Sequence, residues 1–413
     1  MVIGGSLGGL FIANLLLRAG WDVHVYERAA EELQGRGAGI VTHPELFDAL
    51  ALAGIAIDDT IGVHVRERVT LAQDGARVAS CVLPQTLTAW SRLYQALRSG
   101  VPDSRYHTGK HLARATQEGQ HVQAEFTDGE CVTAHLLVAA DGIRSTVRQA
   151  LLPELQPVYA GYLAWRGLVD EEALSQQARR DTFPYFAFGL PPHEQMIAYP
   201  VAGRNNSVAS GQRRYNFVWY RPVGEDALRD MLTDASGKVW SDGIPPPLIR
   251  PELVAAARRA ARQVLAPQFA EVVEKTDALL FQPIYDLESP RLAFGRVVLL
   301  GDAAFVARPH CGMGVTKAAG DAVRLAQALR EHATVPAALE DYERERLAFG
   351  RFIVGHAREL GAYLEANAHG EAVSAATRTP QAVMADTAVP LSPAWPGDDS
   401  PTRLIHARPA PPG

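Results

Sequence analysis

At 413 residues the chain exceeds what one hydrophobic core usually serves, so more than one domain is expected. Its 47% hydrophobic and 21% charged residues are those of a globular protein, and a formal net charge of −6 argues against nucleic acid as a partner, because phosphate binding needs clustered Lys and Arg. Cys81, Cys131 and Cys311, sparse and irregularly spaced, exclude a disulfide framework and a zinc site, and no stretch reaches the roughly 18 apolar residues of a membrane span.

The elements follow in chain order. Met1 to Gly4 reads as the end of a buried strand and Leu7–Arg18 as a helix with apolar residues at i, i+3 and i+4. Gly20 stops that helix, and Val23, Val25 and Tyr26 form a second strand, which makes a βαβ beginning. No basic leader precedes this apolar run, so a cytoplasmic setting is expected. Helices are predicted at Pro44 to Ala53 and at Ser91 to Arg98, then a hairpin from Val122 to Val132 turning at Asp128-Gly129, and a buried strand over Leu136 to Ala139. From Tyr159 to Tyr285 the texture changes. Aromatic and β-branched alternation in YLAWRGLV, QMIAYPV and RYNFVWYRPV predicts an antiparallel sheet with one face used, and Pro251 to Phe269 reads as a helix within it. A strand over Val297 to Ala304 returns to the opening texture, and helices follow over Gly314 to Arg330 and Pro336 to Ala366. The last forty or so residues, rich in Pro, Ala and Ser, predict disorder.

Three motifs carry chemistry. Gly4-Gly5-Ser6-Leu7-Gly8-Gly9 is a G-x-G-x-x-G with Ser6 at the middle glycine. Such a motif needs a tight turn at Gly4, close approach of a pyrophosphate near Ser6 and close helix–strand packing at Gly9, while the helix opening at Leu7 offers free N–H groups. Glu27, followed by Arg28, ends the second strand where an acid takes a ribose hydroxyl. The second motif is ADGIRSTVR, from Ala140 to Arg148; the third is GRVVLLGDAA, from Gly295 to Ala304, followed by Arg308-Pro309-His310-Cys311-Gly312-Met313-Gly314. Each places an acid beside a glycine at the end of a strand, where a carboxylate can accept from sugar hydroxyls. No second G-x-G-x-x-G is present for a resident nicotinamide domain.

In this order, and with the loop Gly37-Ala38-Gly39-Ile40, the motifs resemble the class A FAD-dependent aromatic monooxygenases, the fold family of para-hydroxybenzoate hydroxylase. A nearer likeness, in VIGGSLGGL, GAGIVTHPEL, RYHTGK, YAGYLAWRGL, IAYPVAGR and LLGDAAFVARPH, is to the members that hydroxylate dihydroxypyridines. The resemblance implies an α/β fold: a discontinuous, glutathione-reductase-like, Rossmann-like FAD-binding domain over residues 1–158 and 286–330, a mixed β-sheet substrate domain over 159–285, C-terminal helices over 331–368 and a disordered tail over 369–413. It implies that Gly4, Ser6, Leu7, Gly9, Glu27 and Arg28 hold the FAD diphosphate and adenosine, that Asp141 with Gly142 serves both FAD and the transient NAD(P)H, and that Asp302 holds the ribityl or ribose hydroxyls. Pro309, Gly312 and Gly314 would pass the isoalloxazine on one side, and Gly39 and Ile40 on the other. Two departures stand out: Phe305 replaces a His that often follows GDAA, and Trp90 stands where many members carry Arg, leaving Arg92 open as its substitute.

The resemblance further implies that NADH or NADPH visits as a transient co-substrate, reduces FAD and leaves, and that O2 then gives a flavin C4a-hydroperoxide. Transfer of its distal oxygen to a small aromatic substrate demands an electron-rich ring, a polar group for the ring hydroxyl, apolar walls and exclusion of water. His310, His43 and Tyr199 are the candidate polar groups. Trp165, Phe217 and Trp219 are candidate walls, although alternation alone does not say which face they take, and Arg166 reads as a member of a structural ion pair in preference to a substrate contact. The expected substrate is a hydroxylated N-heteroaromatic ring of the dihydroxypyridine kind; a phenolic or purine ring, and a non-catalytic FAD-binding protein, are the alternatives. No metal, nucleic-acid or membrane partner is expected, and the family implies a homodimer.

Overall fold

The computed structural model describes residues 1–33, 39–241, 243–367, 369–372 and 378–390. Gly37 and Ala38 of the expected flavin loop lie outside them, as do residues 391–413 of the expected tail.

The opening strand, Val2–Ile3, lies at the centre of a six-stranded sheet, parallel to Val25–Tyr26 on one side and to Leu137–Ala139 on the other. Tyr106–His107 closes one edge, and Val297–Leu299 with Ala293–Phe294 closes the other. Gly4, Asp141 and Asp302 of the three nucleotide motifs therefore follow the carboxyl ends of adjacent parallel strands, the position where such sheets bind ligands. Helix Leu7–Arg18 forms as expected and packs against Gly314–Glu331. Gly8 faces Leu300 and Ala318 at this contact. The expected hairpin is His121–Phe126 and Cys131–Ala134, joined by Leu112–Glu118 into a small separate sheet.

A nine-stranded sheet stands over this unit, in the order Phe305–Val306, Leu280–Glu288, Val158–Asp170, Arg214–Pro222, Gln195–Val201, Tyr185–Gly189, Val63–Leu71, Arg77–Ala89 and Gly39–Val41. It draws three strands from the first hundred residues, which their local pattern did not announce. It also corrects the expectation of one used face, because both faces are covered. Trp165, Phe217, Trp219, Met196 and Ala198 point to the outer face and are sealed by the helices that carry Ala178, Ala257, Ala261, Phe269 and Val272. Tyr162, Ala164, Ile197, Tyr199, Val218 and Tyr220 point to the inner face.

Two further expectations are corrected. The single helix over Pro251 to Phe269 is two, Pro251–Val264 and Pro267–Lys275, because Pro267 excludes the helical conformation from Ala266, and Leu265 is extended. The tail is not wholly without structure: residues 378–390 carry the helix Pro380–Asp386, tied down by Arg68. Arg68 is fully buried, donates to the carbonyls of Met384 and Ala388 and to Gln85 Oε1, bonds the Thr387 carbonyl as well, and lies over the Phe186 ring. Composition gives no hint of this, because the holding force comes from a residue more than 300 positions away in sequence. No helix among the described residues is long and apolar enough to cross a membrane.

Candidate active site

The turn after the first strand is built for close approach. Gly4 has φ of +104°, and a Cβ there would stand 2.3 Å from the Ala140 carbonyl oxygen and 2.8 Å from the Asp141 amide nitrogen. The first and second motifs are thus pressed backbone to backbone, and a Cβ on Gly9 would strike the Gly4 oxygen at 1.9 Å. Ser6 is the N-cap of Leu7–Arg18 yet makes no capping hydrogen bond, so the N–H groups of the first turn remain available to an anion. Glu27 is buried; its Oε2 accepts from Gly5 N at 2.7 Å and its Oε1 from Ala29 N at 2.9 Å, which leaves a lone pair on each oxygen for a further donor. A cleft of about 320 Å³ joins these groups and is lined by Gly4, Ser6, Glu27, Arg28, Asp141 and Trp90 among others.

The second and third motifs are locked together. Buried Arg148 donates to the Ala303 carbonyl at 3.2 Å and to that of Ile143. Asp141 Oδ1 is buried without a hydrogen bond, and burial holds its carboxyl above the ordinary range against the pull of Ser145. Gly301 N donates to Asp321 Oδ2 at 3.1 Å, and Asp321 Oδ1 accepts from Arg346 at 2.7 Å. Asp302 presents a half-exposed carboxylate, and Lys317 Nζ, almost fully buried and without a hydrogen bond, lies 4.0 Å from it and 3.7 Å from Asp321. Of the two departures, Trp90 lines the cleft and stacks on Tyr94, whereas Phe305 packs against Gly350 of helix Val335–Gly361. Arg92 turns away to Asp58 and Thr60, so it does not take the place of the missing arginine in the cleft.

The turn Pro309–Cys311 carries His310 onto the inner face of the large sheet. There Nδ1 donates to Gln195 Oε1 at 3.0 Å, which leaves Nε2 to accept from the Tyr162 hydroxyl at 2.9 Å. Neither ring nitrogen is free to take a substrate proton, and burial, with the Arg308 cation adding to it, lowers the pKa to about 3. Arg308 itself chelates Asp286 and bonds Glu365, which anchors the turn. Gly312, with φ of +65°, follows; a Cβ there would meet Ala388 at 2.7 Å. His43 precedes helix Pro44–Leu52 on the other side without a capping hydrogen bond, its Nδ1 3.0 Å from Thr316 Oγ1 near the start of Gly314–Glu331. Burial and the Arg68 cation lower its pKa to about 4. Cys311 is buried, which pushes its thiol up to about 11 and leaves it inert.

Tyr199 lies on this inner face beside Gly39, and burial pushes its phenol well above its ordinary range. Its hydroxyl has no hydrogen-bond partner among the described residues. Asn216, directly across the register from Tyr199, accepts the Gly39 N–H at 2.8 Å through Oδ1, while its buried Nδ2 donates to nothing. Ile40 follows Gly39 in the short strand Gly39–Val41. The expected walls Trp165, Phe217 and Trp219 are on the opposite face and cannot line this space. Arg166 is on the inner face, and no carboxylate pairs with it among the described residues, which corrects its reading as an ion-pair member. Gln195, Tyr162, Asn216, Arg148 and Lys317 were missed; alternation places two of them on a face only once Tyr199 is assigned to it, and the register that does so cannot be read from the chain.

FAD fits what is present: a glycine cradle too tight for any side chain, free N–H groups at a helix start, and carboxylates after three of the sheet's parallel strands. A family model described as FAD binding domain-like matches residues 159–286. The chain is 32% identical to 2,6-dihydroxypyridine 3-monooxygenase of Paenarthrobacter nicotinovorans over 88% of its own length and 91% of the relative's. To the FAD-dependent urate hydroxylase of Klebsiella pneumoniae it is 31% identical over 87% of its length and 88% of the relative's. The solved structure of 2,6-dihydroxypyridine-3-hydroxylase from Arthrobacter nicotinovorans matches with a TM-score of 0.84 at 31% identity, covering 93% of this chain and 95% of that one. Agreement along nearly the whole of both chains, laid over three nucleotide motifs that meet at one cleft, makes this chain a member of the FAD-dependent aromatic monooxygenases.

Proposed function

We propose that the enzyme hydroxylates an electron-rich, hydroxylated N-heteroaromatic ring of the dihydroxypyridine kind. The observation that carries the reading is Asn216: a fully buried amide whose Nδ2 has no acceptor, set beside the unpartnered Tyr199 hydroxyl in a largely aromatic and aliphatic wall that also carries Gln195, His310 and Arg166. An unsatisfied buried donor is costly, so the site suits a small planar ring that brings acceptor atoms to it. Its 32% identity to a dihydroxypyridine monooxygenase points the same way.

FAD, when bound, supplies oxygen activation and transfer, with NADH or NADPH as the reductant. The chain's residues do the rest. Gly4, Ser6, Leu7, Gly9, Glu27 and Arg28 serve the diphosphate and adenosine; Asp141, Asp302, Pro309, Gly312 and Gly314 serve the rest of the cofactor, opposite Gly39 and Ile40. Tyr199 stays a protonated phenol and donates to a ring oxygen. His310, with both nitrogens engaged, is a positioning residue that fixes the Pro309–Cys311 turn to the sheet, and His43 ties that turn's surroundings to Thr316. The proposed working form is a cytoplasmic homodimer, which light scattering and cell fractionation check.

NAD(P)H oxidation by the FAD-loaded protein is measured with 2,6-dihydroxypyridine, 6-hydroxynicotinate, salicylate, para-hydroxybenzoate and urate, and products are identified by mass. Strong stimulation by a pyridine with a product one oxygen heavier is expected. Stimulation by a benzenoid or by urate alone overturns the substrate assignment. A second expectation concerns Lys317. Lys317→Met leaves the Asp302 carboxylate without its nearby cation, so FAD, an anion, should bind about tenfold more weakly. Fluorescence titration of FAD into apoprotein reads this, and unchanged affinity tells against it.

A further inference from the structure

We infer that Arg166 is the counter-ion of the substrate, so that the enzyme selects its ring as an oxyanion. The inference rests on the functional reading above and deepens it. Arg166 stands on Val158–Asp170, across the register from Val218 of one neighbouring strand and Leu280 of the other, with Tyr162, Ala164 and Leu168 on the same face of its own strand. Its Nε is buried without a partner, and its guanidinium meets the Tyr220 hydroxyl, while no carboxylate pairs with it among the described residues. The other buried arginines are spent: Arg68 on main-chain carbonyls and Gln85, Arg148 on the carbonyls of two motif loops, Arg308 on Asp286 and Glu365, Arg346 on Asp321. A guanidinium partly withdrawn from water with no anion to meet it is an unfavourable arrangement that a bound anion repairs.

The groups around it supply no competing charge. Strand Gln195–Val201 brings Gln195 and Tyr199, strand Arg214–Pro222 brings Asn216 and Tyr220, and the Pro309–Cys311 turn brings His310 and Cys311. Burial keeps both tyrosines and the thiol protonated, although Arg166 pulls against it at Tyr199 and Tyr220, and His310 is neutral. None of these is a base that titrates near neutrality. The ring hydroxyl therefore gives its proton to water before binding, and Arg166 holds the resulting oxygen anion. Ionisation raises electron density on the ring carbons that are to be attacked, so one contact serves both recognition and reactivity. A neutral ring of the same shape leaves Arg166 unpaired and is rejected.

The test uses FAD-loaded protein, with ligand binding followed through the change in flavin absorption. 2,6-Dihydroxypyridine is titrated at pH values on either side of its own ionisation, above about pH 5, where His43 and His310 stay neutral. Wild type should bind the monoanion tighter than the neutral molecule by about 30-fold or more. Arg166→Gln should shrink that preference to less than about threefold, chiefly by weakening binding of the monoanion, and Arg166→Lys should restore part of it. Retained anion preference in Arg166→Gln, or none in wild type, overturns the inference. Failure of the functional reading looks different: wild type then neither binds nor hydroxylates 2,6-dihydroxypyridine, and the same titration is run on whichever panel ring is hydroxylated.

Discussion

Gly4→Ala should purify without FAD. Two costs meet at this position. The first is a backbone at φ of +104°, outside the regions L-residues favour. The second is contact: the new methyl would sit 2.3 Å from the Ala140 oxygen, and that oxygen belongs to a strand end held by parallel pairing to Val2–Ile3. Neither loop can yield without moving the amides of the first helical turn or the Asp141 carboxylate, which are the groups proposed to hold the cofactor. Gly20→Ala separates the two costs. Gly20 has φ of +84° but open space around it, so this variant carries strain of about 1–2 kcal/mol without the clash and should keep its flavin. The flavin-to-protein ratio after gel filtration, with melting temperature alongside, decides the matter. Stoichiometric FAD in Gly4→Ala would show that the cradle tolerates a side chain.

Acidification should destabilise the fold well before its carboxylates titrate. His43 and His310 are about 1% exposed, with pKa values lowered to about 4 and about 3 by burial first and neighbouring arginines second. In the unfolded chain both titrate near 6.5. Above that pH neither state is protonated and the histidines contribute no slope. As pH falls below it, the unfolded chain takes up protons that the folded protein refuses, so stability drops until the folded pKa values are reached. At about pH 5 the loss is about 2 kcal/mol for each histidine, about 4 kcal/mol together. Urea midpoints measured from pH 7 to 4.5 test this, and a His43→Asn/His310→Gln double variant should flatten the fall. An equally steep fall in the double variant would place the acid sensitivity in the carboxylates instead.

Legibility followed the range of the interactions. Helix Leu7–Arg18, the Asp128-Gly129 hairpin and the strand before Asp141 are set by local periodicity and turn chemistry, and they stand where the chain pattern puts them. The three motifs were legible for the same reason, since each needs only a strand, a turn and a few adjacent residues. The substrate side was not. Its sheet recruits Val63–Leu71 and Arg77–Ala89 from far upstream, and alternation assigns residues to two faces without saying which face is which. That ambiguity put Trp165, Phe217 and Trp219 among the candidate walls although they face away, read Arg166 as half of an ion pair, and hid Asn216 and Gln195. His310 was conspicuous beside Pro309 but its bonds to Gln195 and Tyr162 cross more than a hundred residues of chain, and these remove it as a free base.

The Arg68 clasp has a consequence for how freely the end of this protein can vary. Within residues 384–388 it grips only main-chain oxygens, those of Met384, Thr387 and Ala388. It is blind to the side chains it holds, so most substitutions there leave the grip intact. Ala388 is the exception, since it meets Gly312 and its φ of 51° favours Gly or Asn over bulkier residues. A lineage could thus rewrite the strap almost letter by letter, and reshape the lining next to His43 and Gly312 as it did so, while the closure itself stayed fixed by one arginine on a distant strand.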